Sequence, residues 1–326
     1  MYRITLLFIL VSIIPTYAQR GGQPPVAIIL DTDMGPDYDD VGALAVLHAL
    51  ADRKEVLPLA VIASNKNEWV VPTIDVLNTW YGRPELPTGG PKGEAPSHGA
   101  PQGWPEMLVQ KYPHTIKKTE DAPDAVETYR KVLAAQPDRS VTIVTVGFLT
   151  NLKNLLESQP DKTSPLSGSD LVRRKVKELV SMAGAFPEGR EYNVLVDSVA
   201  SETVFSQWPT QIIFSGFEIG NKIKTGLKVV ANERLNSPVK DVYAWAMPKS
   251  KGDAEGRMSW DQTAVLVAVR GPQPYFGLKR GKMIVEGGNN TWQDDSMGSH
   301  AYLTEAMPTS QVTALIEGLM MWEGKR

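Results

Sequence analysis

The sequence predicts an open, mainly parallel α/β sheet with flanking helices, and three observations carry that prediction. Runs rich in Val, Ile and Leu recur along the chain with helix-like segments between them, the signature of βαβ units. The first of these runs is apolar without alternation, as a strand covered on both faces must be. At 326 residues and 42% hydrophobic, the chain is long enough to bury a large core, and the pattern shows no clean boundary that would divide it.

Taken in order, residues 1–18 read as a secretory signal peptide: Arg3, an apolar stretch from Ile4 to Ile14, then Pro15 and Thr16-Tyr17-Ala18, with cleavage expected after Ala18. The stretch is too short to span a bilayer, no later segment approaches membrane-helix length, and Gln19 is not the Cys of a lipid anchor. A secreted or periplasmic bacterial protein is therefore expected, with a retained N-terminal anchor as the alternative. A Gly/Pro linker, 19–25, leads into a single domain, 26–326. Strands are predicted at 26–30, 56–63, 141–146, 179–182 and 211–214, and helices at 41–51, 70–81, 122–135, 150–157 and 199–208. Residues 82–113, rich in Gly and Pro, read as a long loop arching over the strand ends, and 160–170 as an exposed connection.

Composition narrows the function. The net charge is only -3 and no Lys/Arg-rich stripe exists, so a nucleic-acid polymer is not an expected partner and a small molecule is. The absence of cysteine excludes disulfides and thiolate metal sites.

The chemistry concentrates in Asp31-Thr32-Asp33-Met34-Gly35-Pro36-Asp37-Tyr38-Asp39-Asp40, which places five carboxylates directly after the first strand and ahead of a helix. The carboxyl ends of parallel strands are where ligands bind in such sheets. So many like charges in ten residues call for a cation or for solvation, and clustered oxygens suit a hard ion such as Ca²⁺. An EF-hand is a weak alternative, because the twelfth position from Asp31 is Gly42 rather than a bidentate Glu.

This loop resembles the DTDPGxDDAxAL signature of the inosine-uridine-preferring nucleoside hydrolases, and further segments agree in order. Val146-Gly147-Phe148-Leu149-Thr150-Asn151 is similar to the family's xGPLTN segment and Met182-Ala183-Gly184 to its MGG segment. Glu191-Tyr192-Asn193 with Asp197 resembles its EFNxxxD segment, and Trp260-Asp261 falls where the family has His-Asp. The ordered Leu-Thr-Asn and Glu-Tyr-Asn matches also weigh against a Mg²⁺-dependent phosphatase built on Asp31 and Asp33.

The resemblance implies a Rossmann-like nucleoside hydrolase fold, one Ca²⁺ at the strand ends, and cleavage of the N-glycosidic bond of a ribonucleoside or related ribosyl compound. It implies metal ligation by the side chains of Asp33, Asp40 and Asp261 and by the carbonyl of Val146. Asp33 would also deprotonate the metal-bound water, and Asp39, Glu191 and Asn193 would grip the ribose. An Asn after the second strand contacts the sugar in the family; Asn65 is favoured here over Asn67, and an Asx turn is the structural alternative. Relatives commonly form dimers or tetramers, so a homo-oligomer is possible.

Departures from the pattern matter as well. The acidic loop is two residues longer than the usual signature, leaving Asp37 a ligand or a spacer. Trp260 stands where many members have a His that protonates the departing base; an indole cannot do so, but it can stack on an aromatic leaving group or simply pack the helix start. The segment between Met182 and Glu191 is short and lacks a sugar-gripping Asn. His98, in a Ser-His-Gly element, and His300 are the alternative donors, while His48 reads as structural. These losses leave a catalytically weak nucleoside- or ribose-binding protein as the competing reading.

Overall fold

A computed structural model describes residues 24–324; the expected signal peptide, 1–18, and most of the linker lie outside the described residues. A ten-stranded sheet runs in the order Thr88–Gly89, Val56–Ala63, Val26–Thr32, Val141–Thr145, Val176–Met182, Gln211–Ser215, His300–Glu305, Phe276–Glu286, Asn289–Asp294 and Glu188–Gly189. The first seven pair in parallel and the remainder antiparallel. All five predicted strands and all five predicted helices are present, with ends shifted by a few residues.

The sheet is covered on both faces, which is why its central strands are apolar without alternation. Along Val26–Thr32, Ile28 and Leu30 enter one core and Ile29 the other, the period-two geometry of a strand. Helices Asp39–Asp52, Trp260–Arg270 and Thr309–Met320 cover the first face, and Ala125–Ala134, Thr150–Glu157, Gly168–Lys175 and Ser198–Gln207 the second. Helix Asp39–Asp52 is buried continuously from Asp39 to Leu50, so its apolar residues need no amphipathic stripe. Gly42 permits a close approach: a Cβ there would lie 2.3 Å from Gln262 Nε2 and 2.7 Å from the Tyr243 hydroxyl oxygen.

One loop expectation is corrected. The stretch 82–113 holds helix Trp104–Lys111, entered through Gly103 at φ 63° and anchored by the fully buried Trp104. The stretch 160–170 is a largely exposed connection, as expected, and it is pinned from below: the Arg130 guanidinium donates to Asp161, to the Ser164 and Leu166 carbonyls and to Ser158 Oγ. Ser167 then caps helix Gly168–Lys175 by accepting from Asp170 N. No helix among the described residues is long and apolar enough to cross a membrane.

Strand Val26–Thr32 sits between Val56–Ala63 on one side and Val141–Thr145 on the other, so the chain reverses its direction of sheet growth there. Crevices open at the carboxyl ends of strands flanking such a reversal. Asp33 and Val146 follow the ends of the two strands that frame it.

Candidate active site

At that crevice lies a cavity of about 450 Å³. Its walls include Asp33, Asp37, Val146, Glu191, Asn193, Trp260 and Asp261, drawn from segments far apart in the sequence. Asp31 and Val146 are locked across the strands by a 2.8 Å bond from Val146 N to the Asp31 carbonyl. Gly147 lets Asp33 approach: a Cβ at 147 would fall 2.6 Å from Asp33 Cβ and 2.7 Å from its Oδ1.

The carboxylates of Asp37, Asp40 and Asp261 each present an oxygen within 4.8 Å of the others. Asp40 is 1% exposed; its Oδ1 accepts from the Thr32 hydroxyl and from Met34 N, and its Oδ2 is buried with no partner among the described residues. Asp33 and Asp261 are buried beside it. Burial first, and then neighbouring carboxylates, hold both far above the usual carboxylate range. Burial raises Asp40 to about 7, with Asp39 adding to the rise. Buried charges are paired or coordinate metals, and an orphaned carboxylate oxygen facing two further acids is what a divalent ion would satisfy. The donor set is all oxygen, so the residues fit a hard cation.

Asp39 is held by protein donors on both of its oxygens. Its Oδ1 accepts from Arg257 Nε and Nη2 at 3.1 and 2.8 Å, and its Oδ2 from the backbone N–H groups of Trp260 and Asp261 at 3.1 and 3.3 Å. Arg257 also meets Asp37 at 2.5 Å and Asp253 at 3.8 Å, and it lies 5.0 Å from the Trp260 ring centroid. Sequence reasoning missed Arg257, since nothing in its spacing announces a partner.

The other expected residues surround this centre. Glu191 caps helix Tyr192–Val196, accepting from Asn193 N and Val194 N, and also from Gly184 N. Asn193 donates to the carbonyls of Val146 and Met182, both at 3.3 Å. Asn65 donates to the carbonyls of Asp33 at 2.9 Å and His98 at 2.8 Å and accepts from His98 N and Asn67 N, so it ties the loop at His98 to the acidic loop. His98 in turn shares a 2.9 Å bond with the Tyr192 hydroxyl at the cavity rim. His300 lies away from the lining: its Nδ1 accepts from Met283 N, and burial lowers it to about 4. Trp260 stacks on Phe217 with centroids 5.3 Å apart and planes 29° apart, held by its indole N–H on the Phe217 carbonyl. Phe217 and Tyr192 were not anticipated, and each is a large aromatic left substantially exposed at the cavity.

The chain is similar to known proteins of one family. The signature of the family described as inosine-uridine preferring nucleoside hydrolase matches residues 28–313. The chain is 28% identical over 239 residues to the pyrimidine-specific ribonucleoside hydrolase RihA of Salmonella paratyphi B, covering 67% of this chain and 68% of the relative. It is 29% identical over 280 residues to an uncharacterized protein of Schizosaccharomyces pombe, covering 77% and 82%. Among solved structures, the inosine-uridine preferring nucleoside hydrolase of Bacillus anthracis shares the fold at a TM-score of 0.69 and 14% identity, over 91% of this chain and 99% of that one. The purine-preferring ribonucleoside hydrolase of Gardnerella vaginalis does so at 0.69 and 17%, over 90% and 99%.

Proposed function

Because the chain belongs to the inosine-uridine preferring nucleoside hydrolase family and is an N-glycosidase, we propose that it hydrolyses the N-glycosidic bond of ribonucleosides with Ca²⁺ in the acidic centre and Asp33 as the base. The observation that carries the reading is the convergence of Asp33, Asp37, Asp40 and Asp261 on one crevice, with Asp40 Oδ2 lacking a partner.

Asp33, Asp40, Asp261 and the Val146 carbonyl would hold the ion. When bound, Ca²⁺ would neutralise the crowded carboxylates, anchor ribose hydroxyls and acidify the attacking water. The chain's own groups supply the rest. Asp33, at the cavity wall, accepts the proton lost by the water as it attacks the anomeric carbon. The surrounding carboxylates favour the positive charge that develops on the sugar ring. Asn193 borders the ribose from the opposite wall, and Glu191 fixes it there by capping its helix. Asn65 positions Asp33 through the Asp33 carbonyl, and Asp39 positions Asp261 through its backbone N–H.

Trp260 and Phe217 offer a flat aromatic face to the departing base, which leaves with the pair of electrons of the broken bond and takes up a proton. The names of the pyrimidine-specific and purine-preferring relatives support a heteroaromatic leaving group in general rather than one base. The signal-like residues 1–18 support action outside the cytoplasm. A panel of purine and pyrimidine ribonucleosides, assayed for base release with Ca²⁺ and after chelation, tests the reading.

A further inference from the structure

We infer that Asp37, supplied by the lengthened acidic loop, is an additional side-chain ligand of the metal, and that Arg257 is an internal cation competing with the metal for it. The inference rests on the Ca²⁺ reading of the site and assigns what that reading leaves open.

Five acids meet here, and their surroundings divide their work. Asp39 is spent, with both oxygens engaged by Arg257 and by the start of helix Trp260–Arg270. Asp37 is not. Its side chain is 39% exposed, it lines the cavity, and one of its oxygens lies within 4.8 Å of ligand oxygens of Asp40 and Asp261. The buried, unpartnered Oδ2 of Asp40 independently marks a missing donor or cation in that cluster.

The only protein cation touching Asp37 among the described residues is Arg257, at 2.5 Å. Arg257 does not depend on Asp37 for its place: Asp39 grips its Nε and Nη2, Asp253 lies 3.8 Å from Nη1, and its guanidinium sits 5.1 Å from the Tyr38 ring centroid. It can therefore give up Asp37 and stay buried and paired. A fixed positive charge and a divalent ion attract the same carboxylate and repel each other. A longer loop thus brings one more carboxylate to the centre, and Arg257 limits how tightly that carboxylate is available.

Calorimetric titration of Ca²⁺ into the chelator-stripped protein tests both halves. Asp37→Asn is expected to weaken binding about tenfold or more, and Arg257→Met to tighten it about fivefold, since ligand charge sets Ca²⁺ affinity. Each variant is first melted in chelator to establish that it folds. If Arg257→Met does not fold, Arg257→Lys, which keeps the charge but loses the fork on the carboxylates, is expected to tighten binding by a smaller factor. Asp37→Asn indistinguishable from wild type would make Asp37 a spacer and overturn the ligand assignment. Unchanged or weaker binding in the folded Arg257 variant would overturn the competition. A wild-type protein that takes up no Ca²⁺ would instead sink the Ca²⁺ reading itself.

Discussion

Asp39 and Arg257, 218 positions apart, meet in a buried fork in which one carboxylate oxygen accepts from both Nε and Nη2 while the other caps the helix that carries Asp261. The pair joins the acidic loop to the far wall of the cavity. Asp39 is 1% exposed, so its charge has no solvent to fall back on and its hold on Arg257 is structural as well as electrostatic.

Asp39→Ala leaves the guanidinium underpaired and the first turn of helix Trp260–Arg270 uncapped. Breaking one side of a buried ion pair costs about 3–5 kcal/mol. Urea unfolding in chelator is expected to show a loss of that order; a loss below about 1 kcal/mol would mean that Asp37 and Asp253 suffice to hold Arg257.

Trp260→Ala removes the partly buried aromatic face beside the acidic cluster. Base stacking contributes about 1–3 kcal/mol, so kcat/KM is expected to fall by about 5- to 150-fold, with Trp260→Phe keeping most of the activity. An unchanged kcat/KM in a folded Trp260→Ala protein would reduce the indole to packing.

Asn151 is a buried bolt between strands, donating to Asp31 Oδ2 at 3.0 Å and to the Ala63 carbonyl at 2.8 Å. Asn151→Ala takes this donor from the buried Ala63 carbonyl and leaves Asp31 Oδ2 to the Tyr129 hydroxyl, 2.8 Å away, so chemical denaturation is expected to show about 1–3 kcal/mol of destabilisation. Wild-type stability in the variant would mean that water replaces both bonds.

His48 provides a pH test remote from the site. Burial and the Arg83 guanidinium push it from 6.5 down to about 3, and its Nε2 lies 3.0 Å from Asn78 Oδ1. The folded protein keeps His48 neutral while the unfolded chain protonates it below about 6.5, so its contribution is whole at neutral pH and lost as pH falls from about 6.5 towards 3. The slope from this one group is at most about 1.4 kcal/mol per pH unit. Denaturant midpoints across that window should fall less steeply in His48→Gln than in wild type; parallel curves would show that His48 titrates normally.

The strands and helices that build the crevice were legible because each is an apolar run with a clear edge, and the strand-end rule then located the acidic loop with Asp33, while Val146 came through the family pattern. Trp260 and Asp261 were found through the family pattern. The C-terminal antiparallel strands were not: Phe276–Glu286 alternates buried and exposed residues irregularly and carries Lys279, Arg280 and Lys282 in its middle. Arg257 escaped because Asp37 and Asp39, the partners that bring it to the site, lie more than two hundred positions upstream. Spacing favoured Asn65 over Asn67 only slightly, and both take part in local turns: Asn65 Oδ1 accepts from Asn67 N and Asn67 Oδ1 from Trp69 N. Only the tertiary bonds of Asn65 to Asp33 and His98 distinguish them.

The most direct measurement is base release by the purified protein from a panel of purine and pyrimidine ribonucleosides, with Ca²⁺, after chelation and in Asp33→Ala. The account predicts release from at least one nucleoside that stops on chelation, returns with Ca²⁺ and is absent in Asp33→Ala. Release that survives both chelation and Asp33→Ala would contradict the metal and the base together, and Ca²⁺ binding with no release from any nucleoside would contradict the proposed reaction.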